Sequence, residues 1–317
     1  MRPTGALHIG HLVGALENWV SLQNEYDNFH LVADYHVLTT SLESKEIYNN
    51  TIEMLIDWLA VGIDPKKSPM FRQSQIKEHT ELFLIFSMLI TTARLERNPT
   101  LKEQVRDLNL ETMCYGHLGY PVLQAADILL YKGEVVPVGE DQVPHIEITR
   151  EIARKFNNTY GDVFPEPEAK LTKFARLPGL DGSMKMSKSL NNTILLSDDK
   201  NQIQTKLRSA VTDPLKVRKN DPGRPEVCLV FTYHKKFNPT EILEIESGCK
   251  SGTLGCVECK LKCSDAIAKN LEPVLEKRNY FSQNLNLVKD ILSDGERRAK
   301  IVANETMEQV RKSMSVG

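Results

Sequence analysis

Leu7-His8-Ile9-Gly10-His11-Leu12-Val13, with Leu16, Trp19 and Val20 behind it and then Phe29-His30-Leu31-Val32-Ala33, decides how this chain folds. Leu12, Val13, Leu16, Trp19 and Val20 fall at i, i+1, i+4, i+7 and i+8, which is one face of a helix. Phe29 to Ala33 is a short apolar run that reads as a buried strand. The pattern then repeats. A helix is predicted from about Ser44 to Val61, stopped by Gly62-Ile63-Asp64-Pro65. Pro69-Met70-Phe71-Arg72-Gln73 reads as a strand, Leu82 to Ile90 as an apolar helix, and Val135-Val136-Pro137-Val138 as a strand entering a loop. Strands alternating with helices imply a parallel sheet with right-handed crossovers. From Ser197 to Gly317 the pattern is mostly helical. The expected organisation is an α/β nucleotide-type domain over 1–180, a mobile loop and linker over 181–196, and an α-helical domain over 197–317.

Composition limits the function. The chain has 317 residues, with 40 Lys and Arg against 42 Asp and Glu. That near balance excludes a uniformly basic nucleic-acid coat but leaves room for local basic patches. The longest apolar stretch, Leu82 to Ala93, contains Ser87, Thr91 and Thr92 and is too short to span a bilayer. Met1 to Gly5 lacks the apolar core of a signal peptide. The expectation is a cytoplasmic chain with no membrane contact. Six cysteines are present, five of them between Cys228 and Cys263. Such a cluster in a chain of this kind reads as a metal site and not as a disulfide framework.

Two short motifs carry chemistry. His8 and His11 are three apart and share one side of a first helical turn. Gly10 between them lets a flat ring or phosphate approach the backbone, and the helix start adds N–H groups and a dipole that favour phosphate. Gly182-Ser183-Met184-Lys185-Met186-Ser187-Lys188-Ser189 is a cationic loop. Its lysines are mobile point charges able to follow a pyrophosphate leaving group. Either motif alone reads as an ordinary surface loop. Together, in this order and spacing, they match the two signature motifs of class I aminoacyl-tRNA synthetases.

A third stretch narrows the resemblance. Tyr120-Pro121-Val122-Leu123-Gln124-Ala125-Ala126-Asp127, then Val136-Pro137-Val138-Gly139-Glu140-Asp141-Gln142, closely resembles tryptophanyl-tRNA synthetases of the bacterial type. The likeness covers nearly the whole chain, including Asp34-Tyr35-His36 and Ser209-Ala210-Val211-Thr212-Asp213-Pro214. It implies a Rossmann-like parallel-sheet catalytic domain followed by an α-helical anticodon-binding domain. It implies a tryptophan–tRNA ligase that uses ATP with Mg2+, acts on the tRNA for tryptophan and forms a homodimer. It also implies the site. Arg2, Pro3, Thr4, Gly10 and His11 should face ATP, with His8 on the triphosphate. Lys185 and Lys188 should hold the leaving pyrophosphate, and Met186, Ser187 and Ser189 should bind ATP beside them. Gly139, Glu140 and Asp141 should border the adenosine, and Leu177 the adenine. Asp127, Tyr120, Gln142, His36, Val136, Val138 and Gln124 should line the tryptophan pocket.

The residues support that pocket independently. Asp127 sits in an apolar helical stretch, where an unpaired carboxylate is costly. An indole N–H, which donates and never accepts, would supply a partner. A required hydrogen bond rejects analogues that lack the donor, so no editing domain is needed, and none fits in this length. A tyrosine-specific sister would want partners for a hydroxyl that both donates and accepts.

Two departures stand out. Gln124 is methionine in some relatives, which makes one wall more polar. Only seven residues precede His8, whereas the family has a strand ending just before the position of Met1. Either the start is placed too far downstream or the chain is truncated, and the central sheet is expected to carry a gap or raw edge.

Cys228, Cys249, Cys256 and Cys259 have the spacing C-x20-C-x6-C-x2-C. Four thiolates suit a tetrahedral zinc or a [4Fe-4S] cluster. The resemblance favours [4Fe-4S], which a subset of the bacterial enzymes carries on a similar array. Cys263 is a substitute ligand, and Cys114 is read as a buried or free thiol. Lys216, Arg218, Lys219, Arg224, Lys235 and Lys236, and later Arg297, Arg298, Lys300, Arg311 and Lys312, are candidates for phosphate contact.

Overall fold

The computed structural model describes residues 1–107, 112–171, 177–183, 186–187 and 190–316. The opening turn Ile9–His11 runs into a π-helical turn, Leu12–Leu16, and then into α1, Glu17–Leu22. The predicted helix is therefore present, but its first part is wound one residue wider. Strand β1, His30–Val32, follows. Helix α2, Ile47–Val61, starts a turn later than its periodicity suggests. It stops at Gly62, whose φ of 106° belongs to the left-handed region that glycine enters freely. Strand β2, Met70–Arg72, pairs in parallel with β1, His30 opposite Met70. Helix α3, Glu78–Ser87, begins a turn before the expected Leu82, with Glu78 and Glu81 in the first turn where the helix dipole favours acids.

Helix α4, Tyr115–Leu129, carries Tyr120 and Asp127. Strand β3, Val135–Val138, pairs in parallel with β4, Glu168–Leu171, and α5, Val143–Tyr160, is the crossover between them. Among the described residues the strands form two separate parallel pairs, and none bridges β1 to β3. Met1 lies along β1: its amino group donates to Leu31 O at 2.6 Å, and Ala33 N donates to Met1 O at 2.8 Å.

The second half is helical, as expected: α6, Lys200–Arg208; α7, Leu229–Phe237; α8, Ile242–Ser251; α9, Cys256–Gln283; and α10, Leu285–Met314. The hydrophobic core does not divide at the boundary suggested by the sequence. Ile267 and Leu271 of α9 share a cluster with Leu7, Ile9, Leu55 and Trp58. Ala299, Ala303, Met307 and Val310 of α10 share a second cluster with Phe71, Phe86, Leu129 and Phe156. Gly295, Ala299 and Ala303 recur every four residues, so a stripe of small side chains lets α10 approach the sheet. A Cβ on Gly295 would lie 2.0 Å from Met70 O.

Candidate functional site

A cavity of about 1590 Å³ runs along β1 and β3, from Phe29 and Glu134 at one end to His36 and Asp141 at the other. Its wall includes Arg2, His8, Gly10, His11, His36 and Asp127. The His8 turn is built from local chemistry. His8 caps the helix: its Nδ1 accepts from Gly10 N at 3.1 Å, while His11 Nδ1 accepts from His8 N at 3.2 Å. The two rings are 3.8 Å apart. The chain on either side is fixed to the segment after the cationic loop: Ile9 N donates to Ile194 O and Leu196 N to Leu7 O, both at 2.9 Å. Met186 reaches the same place. A Cβ on Gly10 would lie 2.9 Å from Met186 Sδ and from the His8 ring. Gly10 thus allows the two motifs to meet. Lys185, Lys188 and Ser189 lie outside the described residues.

Asp127 corrects one expectation. The sequence suggests a carboxylate lacking a partner, yet here it has several. Its Oδ2 is 2.8 Å from His36 Nε2, and its Oδ1 accepts from Gln73 Nε2 at 2.7 Å. His79 Nδ1 is a further 2.7 Å contact on Oδ1, and His79 Nε2 is 2.9 Å from the Tyr131 hydroxyl. Burial alone would raise the acid's pKa, but the His36 and His79 imidazoles outweigh it and hold it at about 2. The group is therefore a fixed anion. A carboxylate oxygen has two acceptor sites, so Oδ2 keeps room for one more N–H. His36, expected as a pocket wall, both lines the cavity and braces Asp127.

The other predicted tryptophan residues divide. Tyr120, Gln124, Val136 and Gln142 line the cavity, and Val138 does not. The Tyr120 hydroxyl is 2.6 Å from His145 Nε2 and its pKa is pushed up by burial, while burial lowers His145 to about 4. A neutral imidazole and a neutral phenol therefore face each other at working pH. On the nucleotide side, Arg2, His8, Gly10, His11, Asp141, Leu177 and Met186 line the cavity. Pro3 is buried, Thr4 and Glu140 are exposed, and these three with Gly139 and Ser187 stand outside its wall. Gly139 has a different job: a Cβ there would lie 2.8 Å from Asp141 Oδ1.

Gln73, His79 and His145 were missed in the sequence. Gln73 carried a usable signal, since it directly follows β2 at the strand's C-terminal end, where parallel sheets hold ligands. The two histidines carried none, because their partners are 25 and more residues away.

The cysteines are all free thiols. Cys228, Cys249, Cys256 and Cys259 are half-buried, Cys263 is buried, and Cys114, read as a buried or free thiol, is a free and exposed one at the start of α4. Among the described residues no three His, Cys, Asp or Glu side chains stand grouped as metal ligands. The four thiols are nonetheless neighbours. Cys259 is pushed up to about 12, first by burial and then by Cys228, Cys249 and Cys256. His234 Nε2 is 3.5 Å from Cys259 Sγ. The thiols are close enough for each to oppose the ionisation of Cys259, but they do not stand as a ligand set.

A family model described as tRNA synthetases class I (W and Y) matches residues 1–272. A tryptophan–tRNA ligase of Thermotoga maritima is 49% identical, with 100% of this chain and 98% of that protein covered. One of Aquifex aeolicus is 43% identical, again with 100% and 98% covered. A solved tryptophanyl-tRNA synthetase of Campylobacter jejuni, complexed with ADP and tryptophan, superposes with a TM-score of 0.89 at 33% identity, covering 100% of this chain and 98% of its own. A nucleotide-type turn, a braced buried carboxylate in the same cavity and end-to-end likeness to these proteins lead to one conclusion: the chain belongs to the class I tRNA synthetases of the tryptophan and tyrosine group, and within it to the tryptophan–tRNA ligases.

Proposed function

We infer that the chain activates L-tryptophan with ATP, releasing pyrophosphate, and then transfers the amino acid to the 3′ end of its tRNA. The observation that carries this reading is the Asp127 carboxylate, buried yet with an acceptor site left, in the same cavity as the His8–His11 turn. The indole N–H donates to Asp127 among the walls given by Tyr120, Gln124, Val136 and Gln142. ATP, accompanied by Mg2+, lies across Gly10, with Arg2, His8, His11, Asp141 and Leu177 around it. The tryptophan carboxylate attacks the α-phosphate in line and the bond to pyrophosphate breaks. Lys185 and Lys188 are assigned to the leaving pyrophosphate on their sequence alone. The rate comes from positioning and from charge stabilisation, with no covalent link to the protein. Amino-acid-dependent ATP–pyrophosphate exchange, screened over the standard amino acids, tests this. Exchange with tryptophan alone is expected, and exchange driven by tyrosine would overturn the specificity.

A division of labour between a catalytic 1–180, the loop 181–196 and a tRNA-binding 197–317 is supported by the helical second half and its basic residues. Exposed Leu84 on α3 and Met88 just past its end suit a homodimer interface. No helix among the described residues is long and apolar enough to cross a membrane, in keeping with a cytoplasmic enzyme. Cys228, Cys249, Cys256 and Cys259 would hold a [4Fe-4S] cluster, or zinc, which would brace α7 to α9 for tRNA without entering the reaction. Iron, sulfide and zinc analysis of anaerobically purified protein separates the two. Cys259→Ala is expected to cost metal affinity and about tenfold in tRNA charging while leaving exchange near wild type. Equal loss of both activities would refute the assignment.

A further inference from the structure

The His8 turn has a support that the activation chemistry does not account for. Leu7 N, one residue before His8, donates to Asp57 Oδ2 at 2.8 Å in a fully buried contact. Asp57 lies on α2 with no exposure at all. Its other oxygen accepts from Arg278 Nη1, and Arg278 Nη2 reaches Glu53 Oε2 at 2.5 Å. Arg278 belongs to α9, in the helical half, and is itself buried. Burial pushes the Asp57 acid up to about 6, although Arg278 and the Leu7 amide pull it down, so it is ionised at neutral pH.

A buried ion pair is poor evidence for stability, because apolar residues of the same size fill such a space equally well. Its use here is directional. The backbone at residues 7–9 is held on one side by Ile194 and Leu196, which follow the cationic loop, and on the other by Asp57. A planar guanidinium that grips two carboxylates of α2 fixes the rotation of Asp57 far more tightly than a point charge would. A shift of α9 therefore moves Asp57, then Leu7 N, then the imidazoles of the turn.

We propose that Arg278 is a positioning residue for amino-acid activation, acting through Asp57 on the Leu7–His8 backbone, so that the helical half takes part in the first reaction step. The inference rests on reading the cavity as the activation site. Asp57 and Arg278 do not line that cavity, so they touch neither tryptophan nor ATP.

The test uses the full chain and three readouts: exchange kinetics, tryptophan binding by calorimetry without ATP, and thermal unfolding. Arg278→Gln should lower exchange kcat roughly tenfold to a hundredfold, the cost of small misplacement at a reacting centre. Tryptophan Kd should stay within about twofold, since the loss concerns the transition state alone. Arg278→Lys, which keeps the charge without the fork, should recover part of kcat. If Arg278→Gln does not fold, the neutral pair Asp57→Asn with Arg278→Gln replaces it, because removing both charges is tolerated better than removing one. The same split is expected there. A folded variant with wild-type kcat overturns the proposal, as does a parallel loss of tryptophan binding. Wild-type chain without tryptophan-dependent exchange would instead sink the reading of the cavity, so the two failures are distinguishable.

Discussion

Asp127→Asn is expected to lower kcat/KM for tryptophan by about a thousandfold, the scale seen when a site loses a required buried hydrogen-bond partner. The amide would still meet one imidazole, but it turns one acceptor oxygen into an NH2 donor. Either the indole N–H or the Gln73 donor then faces another donor. Exchange measured at varied tryptophan checks this, and a variant within tenfold of wild type would remove Asp127 from the amino-acid pocket. The same substitution has a stability signature. The folded acid, at about 2, sits below its ordinary 3.8, so ionisation favours the native state above the ordinary value. That contribution is lost as pH falls through both values. Between pH 6 and pH 3 the wild-type advantage over Asp127→Asn should shrink by about 1 kcal/mol in urea unfolding.

Gly295→Ala is expected to be strongly destabilising. The added Cβ would meet Met70 O at 2.0 Å and Met70 C and N at 2.8 Å. These are backbone atoms of β2 with no rotamer to escape into, so α10 has to lift off the sheet. Overpacking of this kind costs about 3 kcal/mol or more. Gly14→Ala is the control: nothing lies within 4 Å of its Cβ position, and the residue is helical. It should be neutral or slightly stabilising. Equal urea midpoints for the two variants would mean that α10 does not press on β2 in solution.

Local order was legible where one period dominates. The apolar face from Leu12 to Val20, the strands around His30 and Met70, and the stop at Gly62 follow from side-chain spacing and from one glycine's freedom. The edges were less legible. Leu82 to Ile90 suggested a helix one turn late, because apolar continuity outweighed the acidic start at Glu78. Strand β4 escaped notice because Glu168 and Lys170 give it no apolar run, and its pairing with β3 defines it. In the site, motif residues were recoverable because their spacing is local. The brace around Asp127 was not, since Gln73, His79 and His36 come from three separate elements and only the fold unites them. The helical half looked independent for a related reason: periodicity describes a helix face but not what covers it.

The placement of α10 has a consequence for how the protein is made. Arg72 and Glu296, an ion pair at 2.5 Å across that contact, are separated by 224 residues of sequence. At ordinary rates of synthesis, roughly ten seconds or more pass between the emergence of β2 from the ribosome and that of the helix that covers it. Throughout that interval α4 and Tyr131 already cover α3 and Phe71, and the Met70 face of β2 is the part that waits for α10. A chain cut short before α10 would leave that face of the sheet open, and it is expected to aggregate instead of forming a smaller enzyme.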